Sequence, residues 1–354
     1  MRIKKLTILV LFLLLLFLYG CRYHIFDKNQ VKVIKYSVPN FGYFCPIFFQ
    51  GKEVVAQQGQ DTPRDLTNMT LYSSKDFKKY NKIALFEGHF GQFYVSPYNS
   101  KEIFFMSTEG KEGTEQIVFK SNDGGKSWGQ VYYNSDDSMM LADMTFSPSN
   151  RNEIFLVKND KEHGIEIIES HDSGIHWSKA NSTKEIIMST HLVIDPNNSK
   201  HFLVSASNGL WESIDGGVSW KQITTSESLT AIFALSKNDN VYFTTRESIN
   251  EGCIYELNNG KIKKISIPNM GKLIYNVGIA YQNSTGKVYV IVIRQNESNS
   301  MYDTTLYYIK NDSFNKVTNI KSKYSTLPNL IFDATNSNVI YFYSYKNIYK
   351  VVLS

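Results

Sequence analysis

Only three cysteines, Cys21, Cys45 and Cys253, occur in 354 residues. They are too few and too scattered for a disulfide framework or a zinc site. Cys45 and Cys253 read as buried thiols inside strands, the usual place for free cysteine. Arginine is scarce as well: past Cys21 and Arg22 there are only Arg64, Arg151, Arg246 and Arg294. No phosphate loop or dinucleotide fingerprint is present, so the nucleotide-dependent enzyme classes built on them are not expected and no cofactor is implied. Seven histidines are spread along the chain, none forms a close-spaced metal pair with a carboxylate, and no metal site is expected. The formal net charge of +5 owes three positive charges to Arg2, Lys4 and Lys5; without them 35 basic residues face 33 acidic ones. No basic run of the kind that binds nucleic acid remains, and nucleic acid is rejected as a partner.

The chain does contain a long apolar leader. Residues Leu6 to Leu18 follow a basic start and are shorter than the ~20 residues of a spanning helix, which reads as a cleaved export signal. The ending Leu18-Tyr19-Gly20-Cys21 resembles the bacterial lipobox, with Tyr19 bulkier than the small residue usual there. The resemblance implies removal of residues 1–20, lipidation of Cys21, a tether over 21–30 and a folded domain over 31–354. Several acyl chains would hold the protein stably in a bilayer. Arg22 in place of an aspartate implies sorting to the outer membrane, and the expected address is the bacterial cell envelope.

Aromatic residues reach 14%, with 23 Tyr and 22 Phe, a composition that favours strands. Three octapeptides organise the rest of the chain. Ser121-Asn-Asp123-Gly-Gly125-Lys-Ser-Trp128, Ser170-His-Asp172-Ser-Gly174-Ile-His-Trp177 and Ser213-Ile-Asp215-Gly-Gly217-Val-Ser-Trp220 begin 49 and 43 residues apart. A unit repeated at this period signals a propeller or solenoid. Each octapeptide reads as a hairpin turn. The Asp accepts hydrogen bonds from its own backbone two residues on, Gly supplies positive φ, and Trp begins the return strand with a large apolar face for the neighbouring unit.

This pattern resembles the Asp-box of bacterial neuraminidase repeats, shared by sortilin-like receptors, some glycosidases and photosystem II assembly factors. The resemblance implies a β-propeller whose boxes lie at the periphery, away from any catalytic centre. Weaker copies at Leu71–Asp76, Ile254–Gly260, Leu306–Asn311 and Ile348–Val351 bring the third strands to seven. Each is preceded by a two-strand hairpin, such as Phe93–Pro97 with Ile103–Met106 or Leu330–Asp333 with Val339–Phe342. The expectation is an all-β ring of seven four-stranded antiparallel blades, with six blades and a stray hairpin as the alternative. The last blade lacks its outer strand, and Val31–Tyr36 is expected to supply it and close the ring.

Ligand sites in propellers gather where the central channel opens. The candidates there are Arg64, His89, Asp136, His191, Arg246 and Arg294, with Glu87, Asp137, Glu247 and Asp303 nearby in sequence. Sialidase chemistry would need three arginines clamping a carboxylate, and Arg151 falls in a turn on the far side of its hairpin. Other glycoside hydrolysis needs two carboxylates about 5–10 Å apart, and the adjacent Asp136 and Asp137 do not supply that. No catalytic residue is assigned. The expected function is non-catalytic: an envelope scaffold whose loops engage a protein partner, as an immunity protein against a periplasm-acting toxin or as an assembly factor. Glycan binding or sialidase-like hydrolysis is the alternative.

Overall fold

A computed structural model describes residues 31–38, 43–50, 53–59, 68–109, 115–136, 138–160, 164–225, 233–235, 240–248, 251–258, 261–268, 274–282, 284–295, 301–310, 313–323, 325, 329–344 and 346–353. The leader, Cys21 and the tether lie outside the described residues. Strands of alternating hydrophobic residues follow one another through polar turns, and each run of four makes one antiparallel sheet. Six sheets are consecutive in sequence: residues 43–87, 90–134, 139–183, 189–224, 233–265 and 274–322, numbered here as blades 1 to 6.

Blade 7 takes three strands from residues 331–352 and its fourth from Lys32–Ser37. That strand pairs antiparallel with Asn347–Val352, from Lys32 opposite Val352 to Ser37 opposite Asn347. The ring is therefore seven-bladed and closed by the N-terminal strand, which leaves no open edge between first and last blades.

First strands of successive blades touch around the axis, as Met139–Phe146 does with Ser189–Asp195. Second strands are buried on both faces. In blade 3, Ile154 and Leu156 pack towards blade 2 while Phe155 and Val157 pack towards blade 4. In blade 6, Val290 and Val292 meet blade 5, and Ile291 and Ile293 meet blade 7. Because side chains alternate along a strand, an unbroken apolar run serves two interfaces. The core is thus a set of seven layers, one between each pair of neighbouring blades.

The octapeptides join third to fourth strands and lock each blade onto its predecessor. Ser121, Ser170 and Ser213 each donate a hydroxyl hydrogen bond to the Asp two residues on and accept the amide of Gly125, Gly174 and Gly217, all three at 2.8 Å. The Asp accepts further on than the sequence suggests: Asp123 and Asp172 take amides three and four residues ahead, and Asp215 takes that of Ser219. These bonds favour the ionised carboxylates. Asp215 is held down to about 2, chiefly by the Ser219 hydroxyl and amide. Trp128, Trp177 and Trp220 each donate the indole N–H to the Gly carbonyl and pack on the preceding blade.

The glycines are required twice over. At Gly174 φ is +82°, and a Cβ there would lie 2.7 Å from Phe104 Cε1 of blade 2. Blade 1 has a shortened version of the turn, with Ser74 and Asp76 in the Ser and Asp roles. There Phe77 stands in the glycine's place at φ 60° and is 2% exposed. Its ring stacks on Tyr36, with centroids 4.4 Å apart, and lies near Phe49 and Tyr341, so the weakest copy of the repeat fills the closing junction between blades 7 and 1.

Candidate functional site

The turns fix two faces. Gly124, Ser173 and Gly216 donate their amides to Lys101, Asn152 and Lys200, so the octapeptide turns sit beside the turns joining first and second strands. This is the box face. The opposite, or mouth, face carries the links between blades and the connections from second to third strands, where the candidate residues were expected.

Asp136 is exposed in the link from blade 2 to blade 3, where the Ser138 hydroxyl (2.6 Å) and amide (3.0 Å) lower its pKa. His89 is half-buried, with Nδ1 2.9 Å from Ser107 Oγ and its ring edge-on to Phe86, Phe105 and Phe119; packing accounts for it. Arg294, 5% exposed on the second strand of blade 6, donates from Nη2 to the Pro268 carbonyl at 2.6 Å, while its Nε has no partner among the described residues. Arg246 lies on the second strand of blade 5 opposite Gly252. Arg64 and Asp137 fall outside the described residues. Arg151 is exposed in the first turn of blade 3, on the box face.

His191 is the candidate with the most chemistry around it. It sits on the first strand of blade 4, with Nδ1 3.6 Å from Asp143 Oδ2 on the first strand of blade 3. Asp143 also accepts the Leu192 amide (2.9 Å) and the Tyr94 hydroxyl (3.3 Å), so one carboxylate ties the inner strands of blades 2, 3 and 4. The neighbouring Asp143 carboxylate raises the His191 pKa above 6.5. Asp143 was missed in the sequence. Its signal was a lone acid within the apolar strand Met139–Phe146, a placement that is costly unless the acid is paired.

Beside this pair the mouth is apolar. Met140, Ile187 and Met188 are 45%, 52% and 48% exposed. Asn159 holds them together: it lies opposite Met140 in the blade 3 ladder, and its amide group bonds the Ser189 amide, hydroxyl and carbonyl at 2.7–2.9 Å. Met188 has φ 52°, a costly conformation for a side chain of its size. The Ser207 amide bonds the Ile187 and Met188 carbonyls, and Asn208 accepts the Ile187 amide, which fixes the strained turn.

A cleft of about 450 Å³ adjoins this rim, lined by Asp136, Met139, Lys158, Glu166, Lys179 and Lys184 among others. Lys158 and Lys179 grip Glu166 at 3.0 and 2.6 Å. Burial pushes the Glu166 carboxyl up, but the hydrogen bonds from Lys179 and Lys158 outweigh it and the net shift is down. Met139 precedes Met140, and Lys184 lies in the link that carries Ile187, so cleft and rim are continuous. The arrangement offers an apolar rim on rigid strands with a charged recess behind it, the anatomy of a binding surface. Among the described residues no group of three or more His, Cys, Asp or Glu is placed to hold a metal ion.

No family model matches the sequence, and no curated protein matches it. Solved structures do. The GH74 enzyme of Niastella koreensis aligns with a TM-score of 0.60 and 15% identity over 89% of this chain and 53% of the enzyme, so the chain spans about half that enzyme's length. YCF48 bound to D1 peptide aligns with a TM-score of 0.58 and 11% identity over 93% of this chain and 98% of that one. Oligogalacturonate lyase from Vibrio parahaemolyticus aligns with a TM-score of 0.60 and 12% identity over 92% and 94%. At such identities these likenesses establish the propeller fold, which hosts enzymes and a peptide binder alike.

Proposed function

We propose that this protein is a lipid-anchored envelope scaffold of the Asp-box propeller kind, and that it binds a protein partner at the mouth between blades 3 and 4. The observation that carries the reading is the exposed rim of Met140, Ile187 and Met188, presented on a strained and hydrogen-bonded turn. Exposed contiguous apolar surface marks interaction sites, and methionine adapts its shape to a partner. The structure of YCF48 with a peptide supports the idea that a propeller of this shape can hold a polypeptide segment. The Asp-box assignment rests on the shared Ser-Asp-Gly-Trp bonding of the three octapeptides, and the anchor rests on Leu18–Cys21. Outer-membrane placement follows from Arg22 on the same reading. The partner is either an incoming toxin, which the protein would neutralise, or a subunit of an envelope complex that it helps assemble.

The test is affinity capture of the full protein from its own envelope and from secretions of neighbouring strains, beside a Met140→Asp/Met188→Asp variant. The expected outcome is one stoichiometric protein, lost with the variant. A glycan retained or trimmed, with no protein recovered, would overturn the reading.

A further inference from the structure

The octapeptide turns of blades 3 and 4 expose aliphatic side chains where polar residues would serve the turn equally well. Ile175, Ile214 and Val218 are 56%, 71% and 70% exposed, and Tyr98 on the same face of blade 2 is 42% exposed. None of them is needed by the Ser-Asp-Gly-Trp bonding: in the first octapeptide the corresponding positions are Asn122 and Lys126. Around them the box face is basic. In the turns of blades 2 to 4, Lys101, Lys126, Arg151 and Lys200 are exposed, whereas Asp123, Asp172 and Asp215 are half-buried and engaged by their own turns; the exposed Asp76 lies further round, in blade 1, where it accepts the Lys78 and Lys79 amides.

The direction of the closing strand adds an independent constraint. Its Lys32 end pairs with Val352, and the neighbouring Leu353 amide bonds the Asn338 carbonyl in the first turn of blade 7. That turn is on the box face, so the Lys32 end of the closing strand lies on that side. In a ring of seven, blades 3 and 4 are each three steps from blade 7. The aliphatic patch therefore lies across the same face from that end of the closing strand.

We infer that the box face is a membrane-contact surface: Ile175, Ile214 and Val218 dip into the interface of an anionic bilayer while the surrounding bases meet its headgroups. Aliphatic side chains with Lys and Arg around them suit that environment. The orientation rests on the anchor proposed above, but the contact does not follow from the anchor alone. A tether of ten residues reaches ~35 Å when extended, far enough for an anchored ring to stand clear of the surface. Seated box-face down, the ring turns its mouth away from the bilayer, towards soluble or complex-bound partners.

The test is hydrogen exchange of the full mature protein on vesicles of equal parts phosphatidylethanolamine and phosphatidylglycerol, beside the Ile175→Ser/Ile214→Ser/Val218→Ser variant. These side chains are exposed, and an unchanged thermal melt confirms that the variant is folded. Mass analysis of the Cys21 peptide reports the anchor separately. Exchange over 171–176 and 213–219 should slow about threefold or more on vesicles, the slowing should vanish in the variant, and 184–191 on the mouth face should not change. Slowing at the mouth instead, or none, in an acylated protein would overturn the inference and leave the anchor standing. An unacylated Cys21 would overturn the anchor. Co-sedimentation with the same vesicles then decides the surface alone: binding by the parent but not the variant retains it, and no binding by either sinks it.

Discussion

Two glycines in adjoining octapeptide turns separate backbone strain from steric fit. Gly124 and Gly174 both have φ near +80°, but nothing lies within 4 Å of a Cβ built at Gly124, while at Gly174 it meets Phe104. Gly124→Ala should cost about 1 kcal/mol, the strain of an L-residue in that region. Gly174→Ala adds overpacking of the blade 2–3 layer and should cost roughly 2–4 kcal/mol. Equal losses in urea titrations would refute the claim that the turn's second glycine is a blade-packing residue. Two ionisable groups act at opposite ends of the pH range. Asp215 has a folded pKa depressed to about 2 against 3.8, so its contribution to stability is present above 3.8 and fades as pH falls towards 2. His191 is shifted upward, so its contribution is complete below 6.5 and is lost as pH rises through its folded pKa. The stability gap between the parent and His191→Ala should therefore narrow from pH 6 to pH 8; a gap that widens would mean that Asp143 does not favour the imidazolium.

At the scale of strands and blades, the closing strand is the part on which the ring most depends. Tyr36 stacks on Phe77 in the layer between blades 7 and 1, and Tyr36→Ala should cost about 2–3 kcal/mol, somewhat less than for a fully buried aromatic. Removing the first 37 residues should do more: it bares the Asn347–Val352 strand along its whole length. A broad melt and aggregation are expected, against a single sharp transition for the parent. A sharp transition near the parental temperature would show that the N-terminal strand is dispensable. The repeat was readable in the sequence because each octapeptide carries its own bonding pattern within eight residues. Closure was readable because the last blade was one strand short and one unassigned strand remained at the other end. The shortened turn at Ser74–Tyr80 was only half readable: Ser74 and Asp76 keep the pattern, but Phe77 hides the glycine it replaces by packing its ring into the closing layer.

For the molecule as a whole, the candidate site was far less legible than the fold. His191 was found because it lies at the start of an inner strand; Met140, Ile187 and Met188 were not, because exposed apolar residues in one sequence look like core. Their exposure depends on the bulge between Ser189 and His191 and on the strained Met188 turn, which are properties of the assembled ring. Nor could the sequence pair His191 with Asp143, 48 residues earlier, or place Lys158 and Lys179 around one carboxylate. The two proposals together amount to a division of labour, with the octapeptide turns towards the bilayer and the mouth between blades 3 and 4 towards the partner. That division can be read in living cells by placing a photo-crosslinking amino acid at Met188 in one strain and at Ile214 in another. On this account Met188 crosslinks to a single protein and Ile214 to lipid; protein at Ile214 with nothing but solvent at Met188 would show that the mouth is not the binding surface.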